Sequence, residues 1–193
     1  GVIYPAVKQY LHEYLKSLEN QSNKEFDLFL ANDGLKNTEE YLQYYPTLKV
    51  ILHKLTGSTS EIRIRIIQLA LEAEYKIIIF TDCDDTIAIN RVEVTDELLG
   101  YNTIIFNDLN VTNEAGVVKE KNYFSNRLND TSVINSNDLL HSNMMGLSNT
   151  ATTNVVLSNI IKHIENRTII AFDWLLWTHA INNGYQAKFT TST

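Results

Sequence analysis

The segment IIIFTDCDDT, residues 77–86, decides the fold because it joins an unbroken apolar run to three closely spaced carboxylates. An apolar run without alternation is typical of a strand that is covered on both faces, as in parallel sheets. In open α/β sheets, ligands bind just beyond the carboxyl ends of such strands. The segment therefore predicts a buried strand that ends at a ligand site, and a solvated acidic turn is the alternative.

The carboxylates after this strand are candidate metal ligands. If the segment stays extended, Asp82 and Asp84 point to one side and Asp85 to the other. Carboxylate oxygens are hard ligands, suited to a divalent cation that bridges phosphates. We therefore expect that this end of the strand can hold a metal ion.

Alternating helix and strand patterns surround this segment and predict a mainly parallel α/β sheet flanked by helices. We expect the strands at 26–31, 48–55 and 77–80 to share one sheet, with Asp33 and Asp82 at the same edge. A capping box of Asn37 and Glu40 predicts a helix over 38–45, and the other predicted elements are helices at 6–20, 60–74, 91–99 and 174–183, with strands at 103–111 and 185–190. Residues 112–150 are polar and poor in pattern, which is more typical of functional or mobile segments than of scaffold.

Composition restricts the function. A chain of 193 residues has the size of one domain, and its formal charge of −7 argues against a nucleic-acid partner, which needs a basic footprint. No apolar run approaches the ~18 residues of a transmembrane helix. The single cysteine, Cys83, excludes an internal disulfide and fits a reducing compartment. We expect a cytoplasmic protein, with peripheral association at the inner face of the membrane left open.

Two families have acids at a strand end of this kind. An apolar strand followed by Asp-x-Asp-x-Thr is similar to the first motif of haloacid-dehalogenase-type phosphatases. That resemblance implies Asp82 as nucleophile, Asp84 as general acid/base and Thr86 as a supporting residue. It covers only residues 77–87, and such a motif usually follows the first strand of its domain.

The ordered set of motifs along the whole chain resembles glycosyltransferase family 2, whose members have the GT-A fold. The motifs are an opening helix that ends in Ser17-Leu18-Glu19-Asn20-Gln21, a strand with the turn Asp33-Gly34, a Gly57-to-Arg65 segment, the cluster Asp82-Cys83-Asp84-Asp85, and Phe172-Asp173-Trp174 far downstream. Two positions depart from the family pattern, because Leu35 replaces a serine after Asp-Gly and Phe172 replaces a glutamate before Asp173. We expect residues 1–193 to form a single GT-A domain, shortened at both ends.

The family resemblance implies a metal-dependent inverting transferase that moves a sugar from a nucleotide-diphospho-sugar to an acceptor hydroxyl. Asp33 would bind the base or ribose, and Arg63, or alternatively Arg65, would lie near the diphosphate or base. Asp82 would contact the ribose side, Asp84 the Mn²⁺ or Mg²⁺ ion, and Asp173 would be the catalytic base. The acceptor would be a saccharide or a lipid-linked saccharide, as in polysaccharide biosynthesis.

Plainer interpretations of the same residues stay open. Asp33-Gly34 is also a common turn pair, Arg63 and Arg65 also fit a solvated helix face, and Asp173 also fits a helix N-terminus. Trp174 and Trp177 fit a core better than a sugar platform. A sugar-nucleotide-binding domain without turnover is the remaining alternative to an enzyme.

Overall fold

The computed structural model describes residues 1–100, 103–164 and 169–193, and these have the α/β architecture that the sequence predicts. The first elements in chain order are β1 (Val2–Ile3), α1 (Leu11–Glu19), β2 (Leu28–Asn32), α2 (Thr38–Leu42), β3 (Val50–Lys54), α3 (Thr59–Glu72), β4 (Ile77–Ile79) and α4 (Arg91–Leu98). The later elements are β5 (Thr103–Asn107), β6 (Val111–Thr112), β7 (Val118–Glu120), β8 (Val133–Ile134), α5 (Ser136–His141), β9 (Thr150–Thr153), α6 (Asn154–Ile160), α7 (Phe172–Asn182) and β10 (Gln186–Thr190). Short 3₁₀ helices lie at Pro5–Gln9 and Ile161–His163.

The strands form two main sheets. β1, β2 and β3 are parallel and adjacent in that order, with Ala31 opposite Val2 on one side and His53 on the other. A five-stranded sheet has the order β4-β9-β5-β10-β8, in which only β5 and β10 are parallel neighbours. β6 and β7 form a separate antiparallel hairpin.

The prediction that residues 77–80 share one sheet with the strands at 26–31 and 48–55 was wrong. β4 pairs antiparallel with β9, so it belongs to the five-stranded sheet. Its side chains are also half-buried, not fully buried as the apolar run predicts. The reason is that β9 is the one strand among the described residues that pairs with β4, which leaves the other edge of β4 without a strand.

Side-chain caps mark the starts of α3, α5 and α6, whereas α2 lacks the cap that the sequence predicts. Ser58 caps α3, because its hydroxyl accepts from the Glu61 N–H while the Glu61 carboxylate accepts from the Ser58 N–H, as a capping box requires. The predicted capping box of Asn37 was wrong. Asn37 has φ 57°, a left-handed conformation that asparagine tolerates but that cannot place its side chain as a cap.

Two hydrophobic cores hold these layers together. One packs α1 against the parallel sheet, with Leu11, Tyr14, Leu15 and Leu30 fully buried. The other packs α6 and α7 against the five-stranded sheet, and Trp177 lies at its centre with its ring edge against Phe80. Among the described residues, no helix is both long and apolar enough to cross a membrane.

Candidate active site

The acidic cluster lies in a turn directly after β4. The backbone N–H of Asp85 donates to the carbonyl of Asp82 at 3.2 Å, so the segment is not extended. The argument that strand alternation directs Asp82 and Asp84 to one side was therefore wrong. Asp82 is half-buried, whereas Asp84 and Asp85 are exposed and Cys83 points into the core.

Buried side chains on the core side of this turn hold it in place. The hydroxyls of Thr81 and Tyr14 lie 2.7 Å apart, which fixes the end of β4 against α1. Burial raises the pKa of the Cys83 thiol to about 11, so at neutral pH this side chain is an uncharged packing group. Buried contacts of Tyr14, Thr81 and Cys83 therefore fix the backbone of the turn that carries the acids. Precise binding of a charged ligand requires such support.

Arg63 faces the acidic cluster. Its Nη2 lies 3.6 Å from Asp82 Oδ1, and both side chains are partly exposed, at 26% and 36%. Arg65 instead points to solvent and pairs with Glu72 further along α3, at 2.7 Å. Of the two arginines that the sequence left open, the structure places Arg63 beside the acids and Arg65 away from them.

The ionised forms of Asp82 and Asp85 are disfavoured in the folded protein. Burial raises the pKa of Asp82; the Arg63 guanidinium lowers it, and the charges of Asp85 and Asp84 raise it. Partial desolvation by neighbouring groups also raises the pKa of Asp85, against a hydrogen bond from Ser148 that lowers it. The ionised cluster therefore gains from any positive charge that a ligand or a cation brings.

Asp33 lies at the same end of the molecule as this cluster. Its backbone N–H donates to the Ile3 carbonyl at 2.8 Å, and Tyr4 follows directly. Partial desolvation first and then the charges of Asp84 and Asp82 raise the pKa of Tyr4, so this residue lies close to the acidic cluster. The Asp33 side chain itself is half-buried.

Asn32 organises the turn that presents Asp33, and the sequence interpretation missed it. Its Oδ1 accepts from the Leu35 N–H at 2.8 Å, and its Nδ2 donates to the Thr38 hydroxyl at 2.8 Å. Leu35 is buried in the core, which explains a leucine at this departure from the family pattern. An asparagine just before Asp-Gly is the signal that could have found this turn, because its side chain hydrogen-bonds nearby backbone.

Asp173 lies in the first turn of α7, and both of its carboxylate oxygens accept hydrogen bonds. Oδ1 accepts from the backbone N–H of Trp174 at 2.9 Å, and Oδ2 accepts from Asn143 Nδ2 at 3.0 Å. A methyl group at Gly146 would lie 3.8 Å from Oδ2, an ordinary van der Waals contact, so this glycine borders the carboxylate. Two hydrogen bonds thus hold the Asp173 carboxylate in a fixed orientation.

One loop, residues 143–149, touches both halves of the candidate site. Ser148 hydrogen-bonds to Asp85 in the acidic cluster, and Asn143 hydrogen-bonds to Asp173. The sequence gives no sign of the contacts of Asn143 and Ser148. These contacts join segments that are distant along the chain, so only the fold reveals them.

The side chains present fit a divalent cation in chemistry but do not complete a site for it. Asp82 and Asp84 offer carboxylate oxygens, which Mn²⁺ and Mg²⁺ prefer. Within the described ranges, no group of three or more His, Cys, Asp or Glu side chains is arranged to hold a metal ion. A cation here would need further oxygen ligands from a bound molecule or water.

Comparisons with known proteins identify the family of the chain and solved structures that share its fold. The model of the family described as Glycosyl transferase family 2 matches residues 2–136. No curated protein matches the chain. The crystal structure of S. aureus TarS is 18% identical with a TM-score of 0.73, and the alignment covers 100% of this chain and 34% of that one.

Further solved structures share the fold at low identity. S. aureus TarS 1-349 in complex with UDP-GlcNAc is 20% identical, with a TM-score of 0.70 and coverage of 100% of this chain and 55% of that chain. A 4-diphosphocytidyl-2C-methyl-D-erythritol synthase from Anaerococcus prevotii is 13% identical, with a TM-score of 0.54, covering 91% of this chain and 76% of that one. The chain thus spans between a third and three fifths of the length of the TarS structures. With the family model matching well over half of its residues, the chain belongs to glycosyl transferase family 2.

Proposed function

We propose that this chain is the catalytic region of a metal-dependent enzyme that moves a sugar from a nucleotide-diphospho-sugar to an acceptor hydroxyl, with inversion at the anomeric carbon. The observation that carries the proposal is the pairing of Arg63 with Asp82 beside Asp84, in a chain of this family. The TarS structure in complex with UDP-GlcNAc supports a nucleotide-sugar donor, and we propose a UDP-linked sugar as the first candidate.

On the donor side, one arginine and three aspartates would have separate roles. Arg63 would face the diphosphate, because a guanidinium forms paired hydrogen bonds with phosphate oxygens. Asp33 would accept hydrogen bonds from the base or ribose, and Asp82 from the ribose side. Asp84, with Asp82, would hold Mn²⁺ or Mg²⁺, which when bound offsets the charge of the leaving diphosphate.

The acceptor side depends on Asp173. In our proposal its carboxylate takes the proton of the acceptor hydroxyl as that oxygen attacks the anomeric carbon. The new glycosidic bond forms while the bond from the anomeric carbon to the diphosphate oxygen breaks, and the electron pair leaves with the nucleoside diphosphate. A single direct displacement of this kind inverts the anomeric configuration. The contacts with Asn143 and the Trp174 N–H would keep the carboxylate oriented for this step.

The acceptor and the cellular location are proposed from the chemistry expected of such an enzyme. We propose a saccharide or lipid-linked saccharide acceptor, in polysaccharide biosynthesis. We also propose a cytoplasmic protein that contacts the inner face of the membrane peripherally. The buried free thiol of Cys83 fits the reducing conditions of that compartment.

Two other functions would give different results. Family membership favours the transferase over the phosphatase, in which Asp82 would form a covalent aspartyl-phosphate that acetyl phosphate can trap. A binding domain without turnover would bind the donor and never release the nucleoside diphosphate. No feature of the site specifically favours the phosphatase or the binding domain.

A thermal-shift panel of nucleotide sugars, with and without Mn²⁺, tests the proposal. Since a ligand that binds only the native state at a hundredfold excess over its Kd stabilises it by ~2.7 kcal/mol, one donor should give a clear metal-dependent rise in Tm. Nucleoside monophosphates without the diphosphate serve as the control. No shift with any UDP-, GDP- or other nucleotide sugar would contradict the proposal.

A further inference from the structure

A buried carboxylate that the proposed mechanism does not use lies directly after β5. Asp108 is 8% exposed. Its Oδ1 accepts from the N–H groups of Leu109 at 2.8 Å and Phe124 at 2.7 Å. Its Oδ2 accepts from the Ser125 N–H at 3.2 Å and also from the Ser125 hydroxyl. Since a buried carboxylate needs such donors, these bonds fix residues 124 and 125 to the end of β5.

The segment that Asp108 holds presents Arg127 on an aromatic surface. The Arg127 N–H donates to the Phe124 carbonyl at 2.8 Å, which closes a turn. The guanidinium carbon lies 4.9 Å from the centre of the Tyr123 ring and 5.7 Å from that of Phe124. Because contact with two aromatic rings restricts a long side chain, the guanidinium is held in place before any ligand binds.

Among the described residues, no acid pairs with this guanidinium. Arg127 is exposed and takes part in none of the ion pairs that they form. The next acid along the chain, Asp130, accepts from the Thr191 N–H at 2.8 Å instead. An exposed guanidinium without an acid partner can form paired hydrogen bonds with an anionic group of a ligand.

Two lysines add positive charge to the same segment. Lys119 lies in β7 and Lys121 directly after it, and both side chains are exposed. Between residues 119 and 127, three basic residues and one acid, Glu120, give a formal charge of +2, whereas the whole chain has −7. Such a local excess of positive charge attracts anions.

Hydrogen bonds connect this segment to the acceptor side of the candidate site. β5 ends at Asn107, whose N–H donates to the Asn149 carbonyl at 2.9 Å. Asn149 belongs to the loop 143–149, which also holds the proposed base Asp173 through a hydrogen bond at 3.0 Å. The residue after Asn107 is the carboxylate that fixes the turn of Arg127. Both the base and the stacked arginine are therefore attached to the carboxyl end of β5, where ligands bind in α/β sheets.

We infer that Arg127, stacked on Tyr123, is an anion-binding subsite for the acceptor, and that the acceptor is a saccharide chain carrying phosphate or carboxylate groups. The inference rests on the proposed function, because it assigns the chemistry of the acceptor in that reaction. Arg127 binds one anionic group of the chain by paired hydrogen bonds. Lys119 and Lys121 attract its neighbouring charges without a fixed geometry.

Binding of three oligosaccharides of equal length tests this inference. One carries phosphodiester groups, one is an oligogalacturonate with carboxylates, and one is neutral. In isothermal titrations at low salt, the wild type should bind one of the charged chains about 10-fold or more tightly than the neutral one. The charged chain that binds identifies the anionic group as phosphate or carboxylate. Equal affinity for all three chains would overturn the inference.

Variants show whether Arg127 is the residue responsible. Arg127→Gln should lose most of the preference for the charged chain, and Arg127→Lys should keep only part of it, since lysine binds as a point charge. Lys76→Gln removes one exposed positive charge before β4 and is the matched control, which should keep the preference. Wild-type affinity of Arg127→Gln for the charged chain would also overturn the inference.

A donor titration in the same samples separates this inference from the proposed function. The wild type and Arg127→Gln should bind the nucleotide sugar equally in the presence of Mn²⁺, because Arg127 acts on the acceptor. Absence of donor binding in the wild type would contradict the proposed function. A weaker donor affinity in Arg127→Gln alone would assign Arg127 to the donor and overturn the acceptor subsite.

Discussion

At the scale of single residues, Asp82 carries a conflict between stability and binding. Its pKa in the folded protein is raised above the usual 3.8, first by burial, against the lowering by Arg63. A carboxyl group whose pKa is raised on folding stabilises the fold while it is protonated. This contribution is fully present below pH 3.8 and is lost as the pH rises through the raised value.

Replacing this carboxyl should therefore stabilise the protein and weaken donor binding. We expect Asp82→Asn to raise Tm at pH 7, with a gain that shrinks towards pH 3, where the wild-type group is protonated too. Thermal denaturation over this pH range measures it. Glu97→Gln, which removes an exposed carboxylate from α4, is the matched control and should show no such pH-dependent gain. A lower Tm for Asp82→Asn at pH 7 would contradict the electrostatic account.

The proposed base gives a second prediction at this scale. Asp173→Asn keeps the size and the contact with the Trp174 N–H but removes the proton acceptor. Donor affinity should stay near that of the wild type, while transfer should fall by roughly 10²–10⁴-fold, the usual range for a general base. Parallel measurements of donor Kd and transfer rate check this. If transfer survives while donor affinity drops, Asp173 stabilises the N-terminus of α7 and is not the catalytic base.

Asn143 should act through Asp173 and not on the donor. Because its Nδ2 is a hydrogen-bond donor to Asp173 Oδ2, Asn143→Ala frees the carboxylate to rotate. We expect kcat to fall by about 10-fold or more with donor Kd unchanged, since a misplaced group costs rate and not binding. Asn137→Ala, at an asparagine in α5, is the control. Asn143→Ala with the wild-type kcat would remove the positioning role.

At the scale of elements, α3 carries Arg63 into the site and depends on its cap. Ser58→Ala removes the hydroxyl that accepts from Glu61, and a lost N-cap costs about 1 kcal/mol. The free energy of unfolding, from urea titration, should fall by this amount with an unchanged m-value. Thr56→Ala, at an exposed residue of the same loop, should change it by less than half as much. An equal loss in both variants would mean that the loop and not the cap is responsible.

Elements with strong local signals could be predicted from the sequence, and elements without them could not. Ser58, Thr59 and Ser60 are all candidate caps in the sequence, and the helix that they predict over 60–74 agrees with α3 to within two residues at either end. β9 has the sequence TATT and looks like polar loop, yet it lies between β4 and β5. Its burial comes from tertiary packing, which overrides the weak local preference. The failed cap at Asn37 has a similar origin, because the contacts of Asn32 set that loop.

At the scale of the whole molecule, the candidate site combines segments that are far apart in the chain. Asp33 follows β2, Arg63 lies on α3, the acids follow β4, and Asp173 begins α7. The rule that ligands bind at the carboxyl ends of strands led us to expect the first and third of these segments at the site, although β2 and β4 belong to different sheets. The loop that links Asp85 to Asp173 through Ser148 and Asn143 could not be predicted, because its polar residues have no periodicity and their partners are distant.

The central claim is that the acidic turn after β4 binds a nucleotide-diphospho-sugar with the help of a divalent cation. Isothermal titration of the wild type, Asp84→Asn and Glu97→Gln with the best donor of the panel, with and without Mn²⁺, tests it most directly. We predict that the wild type and Glu97→Gln bind the donor more tightly with Mn²⁺, and that Asp84→Asn loses this gain. Equal Mn²⁺-dependent affinity in Asp84→Asn and the wild type would contradict the account.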